Sequence, residues 1–163
     1  MSIKLEKISG LSESQRLQYI RTLCTAQLDS ESDPLANLAN ITSIIYHVLE
    51  DLNWAGFYLV RGGELVLGPF QGLPACTRIA FGKGVCGTAW KHKSSVLVAD
   101  VEAFPGHIAC DSASRSELVI PILRDNEVVA VLDLDSPVLD RFEEKHQQAF
   151  EQLVNFIHIP ETV

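Results

Sequence analysis

Between Trp54 and Asp135 the chain switches repeatedly from a short strand-like run to a turn, and this rhythm limits the fold more than any other feature. "WAGFYLV" (Trp54–Val60) is rich in aromatic and branched residues, which suit a pleated, half-buried surface. "RGGE" (Arg61–Glu64) is a turn and "LVLGPF" the returning strand. "CTRIAF", "SSVLVAD", "ELVIPIL" and "EVVAVLDLD" continue the series, the last two around a turn at Arg124–Asn126. Consecutive short strands imply mostly antiparallel pairing.

Helices bracket this run. Leu17, Ile20, Leu23, Cys24 and Leu28 recur at helical spacing and predict a first helix over Ser12–Leu28. Asp33 followed by Pro34 reads as an N-cap and an N1 proline. Leu35, Leu38, Ile41, Ile45, Val48 and Leu52 then form the apolar face of a second helix. Gly82, Gly84 and Gly87 open a short helix in "GKGVCGTAWKHK", and Arg141 to Ile159 reads as a closing amphipathic helix. The class is α+β. Without a repeat, low-complexity tract or linker, residues 1–163 are expected to form one domain.

Net charge is −8 and the basic residues are scattered, which argues against nucleic acid as a partner. The start "MSIKLEKISG" has no apolar h-region, and no apolar run is long enough to span a bilayer. The expected location is the cytoplasm, with no membrane partner. There the four cysteines, Cys24, Cys76, Cys86 and Cys110, are not expected to form a permanent disulfide framework. They are inert core residues, metal ligands or transient redox centres.

Two groups of residues carry chemistry. "VLDLD" puts Asp133 and Asp135 on one strand face and Leu132 and Leu134 on the other. If Leu123 pairs with Glu127 across the turn, Glu117 faces Asp133. A one-residue slip would send Glu117 to the opposite face. Three carboxylates at one sheet end repel, so at least one should have a raised pKa and could hold and donate a proton near neutral pH. Asp135, next to "SP", reads equally well as a solvated strand end.

The second group is the thiols. Cys24 lies on an apolar helix face and reads as structural. Cys110 sits in the polar loop "FPGHIACDSASRSE" (Phe104–Glu117) and Cys76 in "GLPACT", and two loop thiols can approach without disturbing a core. Cys86 opens a helix, where the dipole would favour a thiolate; it reads equally as a small residue packed on the sheet. His107 with the three loop cysteines could form a Cys3His zinc set, but only a single H-x-x-C spacing supports it.

"NWAGFYL", "LGPFQG…AC.RI", "GKGVCGTA", "D…FPGHIACD..S.SE" and "AVLDLDS" together resemble the free methionine-(R)-sulfoxide reductases, stand-alone enzymes of GAF fold. Ala130 stands where that pattern has Gly. The resemblance implies a single GAF-like domain with a mostly antiparallel central sheet. It implies Cys110 as nucleophile, Cys76 as resolving cysteine and Cys86 in an auxiliary role. Glu117, Asp133 and Asp135 match the acidic substrate site, and Trp54 and Tyr58 match aromatic residues lining the pocket. By period 2, Trp54, Gly56 and Tyr58 share a face, so a gap over Gly56 between two rings could hold a methyl group.

The implied substrate is free methionine sulfoxide, with no bound cofactor or metal and with thioredoxin as electron donor. A homodimer through the helices is an expectation by analogy with other GAF proteins. A non-enzymatic GAF ligand sensor and a structural zinc domain are the rival readings.

Overall fold

The computed structural model describes residues 8–108 and 111–160. Its first helix, α1 (Glu13–Ser30), starts at a capping box: Ser12 Oγ accepts from the Gln15 amide, and Gln15 Oε1 accepts from the Ser12 amide. Helix α2 (Pro34–Val48) starts as the sequence predicts, with Asp33 Oδ1 accepting from the Ala36 amide at 2.8 Å. It ends four residues before Leu52. The Arg16 guanidinium donates to the Val48 carbonyl at 2.8 Å, and Asp51 adopts a positive φ of 58° that turns the chain toward the sheet.

Six strands follow: β1 (Trp54–Arg61), β2 (Glu64–Gly72), β3 (Arg78–Ala80), β4 (Val96–Val98), β5 (Ser116–Arg124) and β6 (Glu127–Ser136). Helix α3 (Gly84–His92) lies between β3 and β4, and α4 (Glu144–Val154) closes the chain. The sheet order is β3-β2-β1-β6-β5-β4 and every pairing is antiparallel. The α+β reading therefore holds, with four α-helices and one six-stranded sheet among the described residues. None of these helices is long and apolar enough to cross a membrane.

Helix α4 is shorter than the predicted Arg141–Ile159. Arg141 instead donates to the Glu50 carbonyl and pairs with Glu13, and Glu143 caps the helix. Beyond Val154 the chain is no longer helical, yet Ile157 and Ile159 remain buried. Their apolar spacing is that of an extended segment, which a helical reading of the tail absorbs by mistake.

The sheet separates two cores. Helices α1, α2 and α4 cover one face, burying Phe57, Ile120, Leu132 and Leu134 with Cys24 and Ile45. Helix α3 covers the other, where Trp54, Tyr58, Val119 and Val131 meet Val85, Cys86 and Ala89. Period-2 alternation along β1, β5 and β6 sends neighbouring residues to opposite cores.

The β5–β6 register corrects the expectation that Glu117 faces Asp133. Asp125 and Asn126, both at positive φ, form a two-residue hairpin turn of the kind Asn and Asp favour. Arg124 pairs with Glu127 and Leu123 with Val128, but Ile122 pairs with Ala130. Val129 is thus an extra residue on β6, a β-bulge. Continued without it, the turn register would place Glu117 opposite Leu134, on the wrong face. The bulge adds one step, so Glu117 pairs with Asp135 and Val119 with Asp133. All three acids remain on the α3 side.

Candidate active site

One pocket opens on the α3 face, lined by Trp54, Tyr58, Cys86, Glu117, Asp133 and Asp135 among others. Three strands position these groups. Trp54 is the β1 partner of Asp135, and Gly56 that of Asp133. Glu117 reaches the same level from β5. Cys86 projects from the first turn of α3, its Sγ 4.0 Å from Glu117 Oε1.

The acids are buried and close together, and both facts favour their protonated forms. Burial raises Glu117 well above the usual carboxylate range, and the charges of Asp133 and Asp135 raise it further. Burial lifts Asp133 to about 6, against the opposing effect of hydrogen bonds from Cys86 and Glu117. Asp135 is raised by burial, then by Asp133 and Asp111. Asp133 Oδ1 is buried and has no hydrogen-bond partner. The floor of the pocket can therefore donate protons and also offers an unused acceptor. Asp135 is part of it and is not merely a solvated strand end.

Of the two readings of Cys86, a thiolate at a helix start and a small residue packed on the sheet, the structure takes the second. Burial and the charges of Asp133 and Glu117 push its thiol well above the normal range, and they outweigh the dipole of a nine-residue helix. It is a protonated hydrogen-bond donor to the acid cluster.

The aromatic pair also differs from expectation. The Trp54 ring stacks on Tyr58 and on Phe70, with centroids 5.8 and 5.4 Å apart. It lies across Gly56, where an added Cβ would stand 2.4 Å from the indole. No methyl-sized gap exists over Gly56, because the indole fills it. Both rings also hold the segment that carries Cys76. Trp54 Nε1 donates to the Leu73 carbonyl at 3.2 Å, and the Tyr58 hydroxyl donates to the Cys76 carbonyl at 2.9 Å. Cys76 is half-buried and disulfide-bonded, while Cys24 and Cys86 are free. Cys110 lies outside the described residues.

A family model described as GAF domain matches residues 36–159. The chain belongs to the GAF domain family. Protein YtsP of Bacillus subtilis is 53% identical over 142 residues, 86% of either chain. The free methionine-R-sulfoxide reductase of Escherichia coli is 50% identical over 129 residues, 79% of this chain and 78% of that one. Among solved structures, the free methionine-R-sulfoxide reductase from Neisseria meningitidis in complex with its substrate superposes with a TM-score of 0.81 at 43% identity, over 88% of this chain and 84% of that one. The family resemblance read from the sequence motifs is borne out.

Within this GAF domain the pocket also holds residues that the sequence reading passed over. His107, a zinc-ligand candidate by sequence, faces the acid cluster instead. Its Nε2 lies 3.7 Å from Glu117 Oε2, and burial lowers its pKa. Asp111 and Ser114 line the pocket from the same loop, tied down by Asn53, whose Nδ2 donates to both at 2.9 Å. The polarity of that loop is the available signal; Asn53 stands in the "NWAGFYL" motif, but nothing in its spacing ties it to the loop. Cys76, one of the four residues of the Cys3His set, is engaged in a disulfide and so offers no thiolate to a zinc ion. A different trio, Cys86, Glu117 and Asp133, has ligand atoms within 4.8 Å of one another. Its members instead share protons through hydrogen bonds.

Proposed function

We propose that this GAF domain reduces free L-methionine-(R)-sulfoxide to L-methionine, with Cys110 as the nucleophile. The reading is carried by the cluster of Glu117, Asp133 and Asp135, whose proton affinity burial raises, in a pocket whose Tyr58 holds the backbone of the disulfide-bonded Cys76. Relatives named free methionine-R-sulfoxide reductase support it, at 50% identity in Escherichia coli and 39% in Saccharomyces cerevisiae.

The Cys110 thiolate attacks the sulfoxide sulfur while the carboxylic acids protonate the oxygen. Methionine departs with its sulfur reduced by two electrons, and Cys110 is left as a sulfenic acid. The Cys76 thiol then attacks that sulfur. Water leaves and a Cys76–Cys110 disulfide forms. A dithiol donor of the thioredoxin type reduces it by exchange. Trp54 and Tyr58 wall the pocket and hold the Cys76 segment in place. The acid cluster suits the α-ammonium of a free amino acid, a charge that a peptide-linked methionine lacks.

The test is turnover of free L-methionine-(R)-sulfoxide by wild type, Cys110→Ser and Cys76→Ser, with dithiothreitol and with thioredoxin. Wild type should be active, Cys110→Ser inactive, and Cys76→Ser stalled with thioredoxin. Full activity in Cys110→Ser would remove the nucleophile assignment.

A further inference from the structure

The acidic residues avoid one part of the chain. From Leu65 to Ala99 there is no Asp or Glu, although the protein has 21, while four of its 13 Lys and Arg fall there. This stretch carries Cys76, β3 and α3. Arg78 is paired with Glu64, and Lys93 with Glu127. Lys83 and Lys91 are exposed and have no ion-pair partner among the described residues. They form a basic spot on a protein whose net charge is −8.

Apolar surface accompanies this charge. Phe81 is 53% exposed and Leu73 64%, the two most exposed large apolar side chains after Phe156 is set aside. Phe81 is held edge-on to Trp90, with centroids 4.8 Å apart. The Lys91 stem lies over Gly82, 3.3 Å from where a Cβ would stand. Leu73 precedes Cys76 by three residues and Phe81 follows it by five. Five residues reach at most about 17 Å, so Leu73 and Phe81 lie within one protein footprint of the Cys76 sulfur, and Lys91 and Lys83 adjoin Gly82 beside Phe81.

We infer that Leu73, Phe81, Lys83 and Lys91 form the docking surface for the protein that reduces the enzyme, a dithiol oxidoreductase with acidic surface around its nucleophilic thiolate. The inference rests on the proposed sulfoxide reduction. A basic spot attracts an anionic partner and favours the approach of a thiolate, and the exposed apolar side chains give the contact its desolvated centre. The partner thiolate attacks Cys76 Sγ, the Cys76–Cys110 bond breaks, and Cys110 leaves as a thiolate ready for the next substrate. The partner's second thiol then attacks the mixed disulfide and frees Cys76. Two electrons pass from the dithiol to the enzyme, and the partner ends as a disulfide. Cys76, half-buried at the rim, is open to this attack in a way that buried Cys24 and Cys86 are not.

The experiment compares two reductants, a thioredoxin of negative net charge and dithiothreitol, in wild type, the double variant Lys83→Glu/Lys91→Glu, and Phe81→Ser. The double variant should raise KM for thioredoxin about fivefold or more and flatten its dependence on salt. Phe81→Ser should raise the same KM without changing the salt dependence. Turnover with dithiothreitol should be unchanged in both. An unchanged KM for thioredoxin in the double variant would overturn the inference, as would wild type that accepts dithiothreitol and refuses thioredoxin. Wild type inactive with either reductant would instead overturn the proposed function, and the docking surface with it.

Discussion

The two faces of strand β6 are built from alternate residues of one short sequence, yet they do different work. Leu132 and Leu134 point into the core beneath α1, α2 and α4, while Asp133 and Asp135 point into the pocket beneath α3. The two free cysteines repeat the contrast. Both are buried and protonated. Cys24, among apolar side chains, is raised to about 12 by burial alone. Cys86 is raised by burial and by the Asp133 and Glu117 carboxylates. Burial alone makes a thiol inert; burial beside unpaired acids makes it part of a proton-sharing cluster. What distinguishes the functional face is therefore the company its buried groups keep.

The largest expected effect comes from removing a proton donor on that face. Glu117→Gln should lower kcat by about 100-fold or more while the protein stays folded. An unchanged kcat would mean that the acidic face has no part in the chemistry. The next effect appears in stability. Asp133 has a folded-state pKa of about 6, above the ordinary aspartate value of 3.8. A raised carboxylate pKa means that the folded state binds the proton more tightly than the unfolded state. The contribution of Asp133 to stability is thus most favourable below about pH 4, falls as pH rises toward 6 and stays lowered above it. Asp133→Asn should remove that fall and stabilise the protein at pH 8 by on the order of 2 kcal/mol, measured by denaturant titration at both pH values. Equal pH profiles would show that Asp133 carries no such penalty.

Gly56→Ala tests whether the stacked indole is part of the site. Its methyl would meet the Trp54 ring at 2.4 Å and Phe70 Cβ at 2.5 Å. A cost of about 1–3 kcal/mol in stability is expected, with a higher KM for the sulfoxide as Trp54 shifts. An unchanged KM would make Trp54 a packing residue only. The smallest effect belongs to the other face. Cys24→Ala should cost about 1 kcal/mol and leave kcat and KM as they are; altered kinetics would undo the contrast between the two cysteines.

The strands, the first two helix starts and the inward residues of β1 and β6 were legible because each rests on local chemistry: alternation, caps and turn residues. The Glu117–Asp135 pairing was not. It depends on Val129, an ordinary valine in an ordinary strand sequence, and a bulge leaves no compositional mark. The position of the Trp54 ring was missed for a related reason. Period 2 says which face a side chain takes, but not that an indole will fold back over the next glycine on that face. The protonated state of Cys86 depended on three segments meeting at one point, and the dipole argument saw only one of them. Arg16 and Arg141, which set where α2 stops and α4 starts, act through partners more than 30 residues away.

The bulge at Val129 leaves the β5–β6 hairpin with a residue to spare. Loss of the Val129 codon would straighten the strand and still leave Glu117 opposite Asp135. Loss of the Val131 or Leu132 codon would turn Asp133 and Asp135 toward the apolar core, unless Val129 slipped into the ladder to take up the missing place. A gene encoding this hairpin can thus absorb one deletion between Val129 and Leu132 without separating its acids, and a second would have no reserve to draw on.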